Sequence, residues 1–137
     1  MEYVIDLNVI LDILLDREPF VEDSIKVLNA CKKRIIKGYI CANNVDTLFY
    51  MLHKHLHSKQ KCYEYIEQLL TILRVISLLS FTIYDVLDLE PKDFEDGIIA
   101  MAAKASKCDG IITRNKKDFA DFGIEVITPK EFVELYC

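Results

Sequence analysis

The sequence predicts an α/β protein, a three-layer α/β/α sandwich around a largely parallel central sheet of about five strands, and three observations carry that prediction. Short β-rich runs alternate with helical patterns from one end of the chain to the other, as successive strand–helix–strand units require. Acids, amides and hydroxyls stand just after several of the predicted strands, the edge where open α/β sheets bind ligands. A chain of 137 residues, 52% hydrophobic and 28% charged, is enough for one domain with a full core.

Tyr3 to Ile5 is the first strand, ending at Asp6, and LNVILDILLDR continues at once with Val9, Ile10, Ile13 and Leu14 at helical spacing. Asn8 is placed to cap that helix or to orient Asp6 through its amide. Arg17-Glu18-Pro19-Phe20 breaks the pattern, and Pro19 opens a second helix to about Lys33. Gly38 to Ala42 is the second strand. Asn43-Asn44 then offers a cap for VDTLFYMLHKHL, with Asp46 and Thr47 in its first turn. Lys59 to Leu73 is an amphipathic helix, Arg74 to Leu79 the third strand, and Phe81 to Leu87 a short helix.

DFEDGIIAMAAKASKCDGIITRNKKDF, Asp93 to Phe119, is the stretch that carries most of the chemistry. Pro91 stops the preceding helix, and acids at the start of the next one suit the positive end of its dipole. At about 100° per residue Asp93 and Asp96 lie roughly 60° apart, whereas Glu95 is expected to point away. Ala100 and Ala103 follow Asp96 on its face, so that face can approach the sheet closely. Gly110 to Thr113 is the fourth strand, and a turn carrying Asn115 and Asp118 follows it. Glu125 to Ile127 is the fifth, before a final helix from Pro129. No repeat or linker divides the chain, so residues 1–137 form a single domain.

The net charge of −5, from 17 basic and 22 acidic residues, does not announce a nucleic-acid binder. A metal bound by clustered acids reverses the local sign, however, so the total does not exclude one. Basic side chains gather at Lys32 to Lys37, Lys54 to Lys61, and Arg114, Lys116 and Lys117. Five widely spaced cysteines without a CxxC pair read as reduced thiols, neither a disulfide frame nor a zinc site. His53 and His57 are one helical turn apart but lack further ligands, so a polar helix end is the expected reading. MEYVIDLNV is unlike a signal peptide, and Arg74 interrupts the apolar stretch Leu69 to Tyr84, which is shorter than a membrane span. A soluble, cytoplasmic protein with no membrane partner is expected.

In a parallel sheet, loops after several strands share one edge. Asp6, Asp46, Thr47, Asp93, Asp96, Asn115 and Asp118 are thereby expected around one cleft. Carboxylates crowded together repel, and a hard divalent cation with oxygen ligands is the usual remedy. Such centres carry out phosphoryl chemistry.

DLNVILD at Asp6 to Asp12, DFEDGIIAMAA at Asp93 to Ala103 and TRNKKDF at Thr113 to Phe119 resemble, in order and spacing, the three signature blocks of PIN domains. The likeness spans the chain and is nearest the bacterial branch that includes VapC-type toxin ribonucleases of type II toxin–antitoxin pairs. The resemblance implies an endoribonuclease dependent on Mg²⁺ or Mn²⁺, silenced by an antitoxin protein and homodimeric. It implies Asp6, Asp96 and Asp118 as metal-binding and catalytic acids, with Asn115 as an auxiliary metal ligand. Asn8 would support the first acid, with Asp93 and Thr113 beside the site, while Arg114, Lys116 and Lys117 would contact RNA phosphates. One departure stands out. The family's glutamate early in the second-block helix falls on Thr47, with Asp46 beside it, so either Asp46 replaces it imperfectly as the fourth catalytic acid or the fourth acid is missing. Two enzyme alternatives fit less well: an aspartyl phosphatase wants an Asp where Asn8 stands, and a receiver domain wants an acid pair at the first strand. A binding module with a decayed metal site is the non-enzymatic alternative, and Thr47 is what favours it.

Overall fold

Five strands, β1 (Glu2–Ile5), β2 (Lys37–Cys41), β3 (Arg74–Ile76), β4 (Gly110–Ile112) and β5 (Glu125–Ile127), pair in the order β3-β2-β1-β4-β5 with every neighbour parallel. The computed structural model describes residues 1–137. Side chains alternate across the sheet, so Tyr3 and Ile5 enter one apolar core while Val4 enters the other. The first core is closed by α1 (Leu7–Leu14), α2 (Val21–Lys32), α3 (Ala42–Leu56), α4 (Lys59–Ile72) and α7 (Pro129–Tyr136). The second is closed by α5 (Ser80–Leu89) and α6 (Phe94–Ala105). This is the predicted three-layer sandwich, with the expected parallel strands forming the whole of the sheet.

The chain moves from β1 outward through β2 to β3, then crosses back to β4 on the other flank of β1. The direction of winding therefore reverses between β1 and β4, and the loops leaving them diverge to open a crevice. Asp6 follows β1 at that point and Thr113 follows β4.

Three boundaries differ from expectation, each for a local reason. β3 stops at Ile76, well short of Leu79, because its sole partner strand ends there: Ile76 pairs with Cys41, and α3 begins at Ala42. Asn43 and Asn44 do not cap α3, since the cap position is Cys41 and both amides lie inside the first turn. Asp93 stands one residue before α6 as its cap, where its Oδ1 accepts the Asp96 N–H at 2.9 Å. The final helix is as expected, and Thr128 and Glu131 cap it reciprocally around Pro129.

Gly110 begins β4 where the sheet leaves no room for a side chain. An added Cβ would lie 2.8 Å from the Glu125 carbonyl oxygen of β5 and 3.1 Å from the Tyr3 ring. Because the nearer obstacle is backbone, Gly110→Ala must push β4 and β5 apart. The expected cost is about 1–3 kcal/mol, read as a lower midpoint in urea with an unchanged slope.

Candidate functional site

Asp6 caps α1 with one carboxylate oxygen and meets β4 with the other. Its Oδ1 accepts the Leu7 N–H at 2.7 Å, and its Oδ2 accepts the Thr113 hydroxyl, also at 2.7 Å. Thr113 is itself fully buried and saturated: besides that donation, its Oγ1 accepts from Asn8 Nδ2 at 3.2 Å and from the Asn115 N–H at 3.1 Å. Asn8 thus supports Asp6 through Thr113 rather than directly, and its Oδ1 also accepts the Arg114 N–H at 3.3 Å. The loop after β4 is stitched to the start of α1, and Asp6 is held with only 8% of its surface exposed.

Burial pushes the Asp6 carboxyl above its usual range, an effect opposed by the Thr113 and Leu7 hydrogen bonds and reinforced by Glu95 and Asp118. Asp96 is pushed up to about 7, first by burial and then by Asp93, Asp6, Asp118 and Glu95. Acids from three separate stretches of chain therefore act on one another at the crevice. None takes part in the protein's ion pairs, which engage Asp12, Glu22 and Glu131 instead. Beside Asp96 opens a cleft of about 510 Å³ whose polar wall includes Asp93, Lys117, Asp118 and Asp121.

An uncompensated set of hard oxygen donors is chemistry that suits a divalent cation. No three of the His, Cys, Asp and Glu side chains stand at ligand spacing around one point, so holding an ion requires the acids to turn inward. Asp6 is fixed by two hydrogen bonds, whereas Asp118 lies exposed on the 3-10 turn Lys116–Phe119 and has room to do so.

Several residues sit elsewhere than the sequence led us to expect. Asp46 is exposed on α3, and the charges that bear on Asp6 and Asp96 come from other acids. Thr47 turns its hydroxyl to the Asn43 carbonyl and borders the apolar groove between α1 and α3. Glu95, expected to point away, reaches across to α3, where its Oε1 accepts from Asn44 Nδ2 at 2.9 Å. Its side chain is long enough to overcome an unfavourable helical angle, and it affects both Asp6 and Asp96. Arg114 does not extend toward the cleft. Its Nε and Nη2 donate to both oxygens of the fully buried Asp12, at 2.6 and 3.0 Å, and its guanidinium lies 4.2 Å over the Phe20 ring. Lys116 pairs with Glu131 at 3.0 Å, which leaves Lys117 as the predicted basic contact that borders the cleft without an ion pair. Asn115 is exposed next to the acids, with its backbone rather than its side chain engaged.

Other proteins share this fold. The family model for the PIN domain matches residues 2–117. Ribonuclease VapC1 of Aquifex aeolicus (strain VF5) is 29% identical over 138 residues, covering 95% of this chain and 92% of that one. FitAcB from Neisseria gonorrhoeae superposes with a TM-score of 0.72 at 21% identity, over 95% of this chain and 99% of that one. A toxin–antitoxin complex from Klebsiella pneumoniae gives 0.67 at 25% identity, over 93% and 97%. With the parallel sheet and the acids at its winding reversal, these matches place the chain in the PIN domain family, close to its VapC-type members.

Proposed function

We propose that the protein is a metal-dependent endoribonuclease that hydrolyses RNA phosphodiester bonds. The observation that carries this reading is that Asp6, Asp96 and Asp118 act on one another at the crevice and none of them is held in an ion pair. Asp6, Asp96 and Asp118 would hold Mg²⁺ or Mn²⁺, with the exposed Asn115 amide beside them. When bound, such a cation acidifies water and offsets negative charge on a phosphodiester.

The chain's own groups divide the remaining work. Thr113 and Asn8 keep the Asp6 carboxylate in one orientation, and Asp93 fixes the first turn that carries Asp96. The Asp96 carboxyl, pushed up by burial and by the neighbouring acids, would be held as a carboxylate by a bound cation. Lys117 would contact an RNA phosphate at the cleft wall. Lys116 could join it only by leaving Glu131, and Arg114 contributes by holding the loop through Asp12.

The relatives solved in toxin–antitoxin complexes support a toxin held silent by an antitoxin protein. Phe81, Tyr84 and Leu87, exposed on one side of α5, support a homodimer. No helix is long and apolar enough to cross a membrane, which suits a cytoplasmic RNA substrate.

The test is cleavage of a fluorescent single-stranded RNA and of bulk tRNA with Mg²⁺ or Mn²⁺, beside EDTA. Cleavage that needs the metal and is lost in Asp6→Asn and Asp96→Asn is the expected result. A protein that neither cleaves nor binds Mn²⁺ would be the binding module with a decayed site.

A further inference from the structure

We propose that Glu95 supplies the fourth carboxylate of the metal centre, in place of an acid on α3, and that the buried amide of Asn44 latches it there. The inference rests on the metal-dependent reading above and concerns which side chains complete it.

Asn44, Leu48 and Leu52 recur at the spacing of one helical face, and all three are buried, Asn44 and Leu48 completely. An amide on an apolar face must find partners or carry a desolvation cost. Its Nδ2 donates to Glu95 Oε1 at 2.9 Å, bridging two elements 51 residues apart in sequence. A carboxylate accepts but does not donate, so this partner sets which end of the amide faces Glu95. The other end, Oδ1, is buried with no donor at all. An orphaned hard oxygen on the same amide that grips a carboxylate marks a place where a ligand, or water around it, completes the hydrogen bonding.

The competing candidates on α3 are turned elsewhere. Asp46, exposed as Glu95 also is, is not among the charges that bear on Asp6 or Asp96, and Thr47 spends its hydroxyl on the Asn43 carbonyl. Glu95 instead stands among the acids: its charge bears on Asp6 and Asp96, and it also acts on the Cys41 thiol at the end of β2. It therefore spans the space between the end of β2 and the start of α6. The centre keeps a carboxylate on its α3 side although α3 carries none there.

Glu95→Gln tests this cleanly, because the glutamine carbonyl still accepts from Asn44 while the charge is removed. Mn²⁺ is titrated into the full chain and followed by calorimetry and by loss of the free-ion paramagnetic signal, with no RNA present. Glu95→Gln is expected to weaken Mn²⁺ binding about tenfold, and Asp46→Asn to leave it within about twofold. Melting curves in EDTA establish that both variants are folded. Wild-type binding that Asp96→Asn abolishes and Glu95→Gln leaves unchanged would remove Glu95 from the centre while the metal-dependent reading stands. Loss of affinity in Asp46→Asn instead would assign the fourth acid to α3. A wild-type chain that binds no Mn²⁺ would overturn both readings together.

Discussion

Arg114→Met is expected to cost the fold about 3–5 kcal/mol, a loss large enough to move the urea midpoint by one molar or more. The side chain that suffers is Asp12, with no exposed surface and both oxygens engaged by Arg114 at 2.6 and 3.0 Å. Arg17 approaches the same carboxylate at 3.6 Å and is too distant and too exposed to replace a bidentate partner. Removing Arg114 therefore leaves a buried charge nearly alone, and also strips the guanidinium from the Phe20 ring. The double variant Asp12→Leu/Arg114→Met removes both charges and is expected to recover most of the loss. A single variant that costs less than about 1 kcal/mol, or a double variant as unstable as the single, would mean that the pair does not hold the loop.

That ion pair illustrates what the sequence made legible and what it hid. The alternation of strands and helices and the fold class follow from local patterning, because each strand is a short β-rich run and four of the five are followed at once by a polar residue. Asp12 and Arg114 are 102 residues apart and meet because β1 and β4 are neighbours, an adjacency that periodicity does not reveal. Reading Arg114 as a phosphate contact considered its charge without its partner. A clue lay in LNVILDILL, where an aspartate interrupts an apolar run that is buried on most sides.

Glu95 was hidden for a different reason. Helical angles describe where a Cβ points, and at the first turn a long side chain can lean over the end of the helix to a neighbouring element. The signal that could have found it is Asn44, in register with Leu48 and Leu52. A polar residue on that face needs a partner, and an acid at the start of a helix across the crevice is a natural one. Asp46 lies two positions from both Asn44 and Leu48, about 200° round the helix, and so faces away from the buried side. Where the strand ends are concerned, β3 ended early because an edge strand is only as long as its partner allows.

The metal-free protein is expected to lose stability as pH rises from about 4 to about 7, and Asp96→Asn to remove most of that loss. The Asp96 carboxyl titrates at an ordinary 3.8 when unfolded and at about 7 when folded. Between those values the folded chain holds a proton that the unfolded chain has released, so folding is favoured at the acid end and the advantage disappears through pH 7. The burial of Asp6 acts in the same direction. A shift of about three units corresponds to roughly 4 kcal/mol at most, and because Asp96 is partly open to solvent we expect about 1–2 kcal/mol. In EDTA at pH 8 Asp96→Asn should therefore melt several degrees above wild type. Saturating Mn²⁺ should reverse the order, because an ion that binds only the folded wild type stabilises it by mass action and leaves the variant unchanged. Equal melting temperatures of the two proteins in EDTA at both pH 5 and pH 8 would show that the carboxylates do not strain one another. If Mn²⁺ raised both melting temperatures equally, the ion would be binding away from Asp96. The expected reversal would identify the instability of the empty fold with the affinity of the occupied one, as the same repulsion among Asp6, Asp96 and Asp118 read with and without a cation between them.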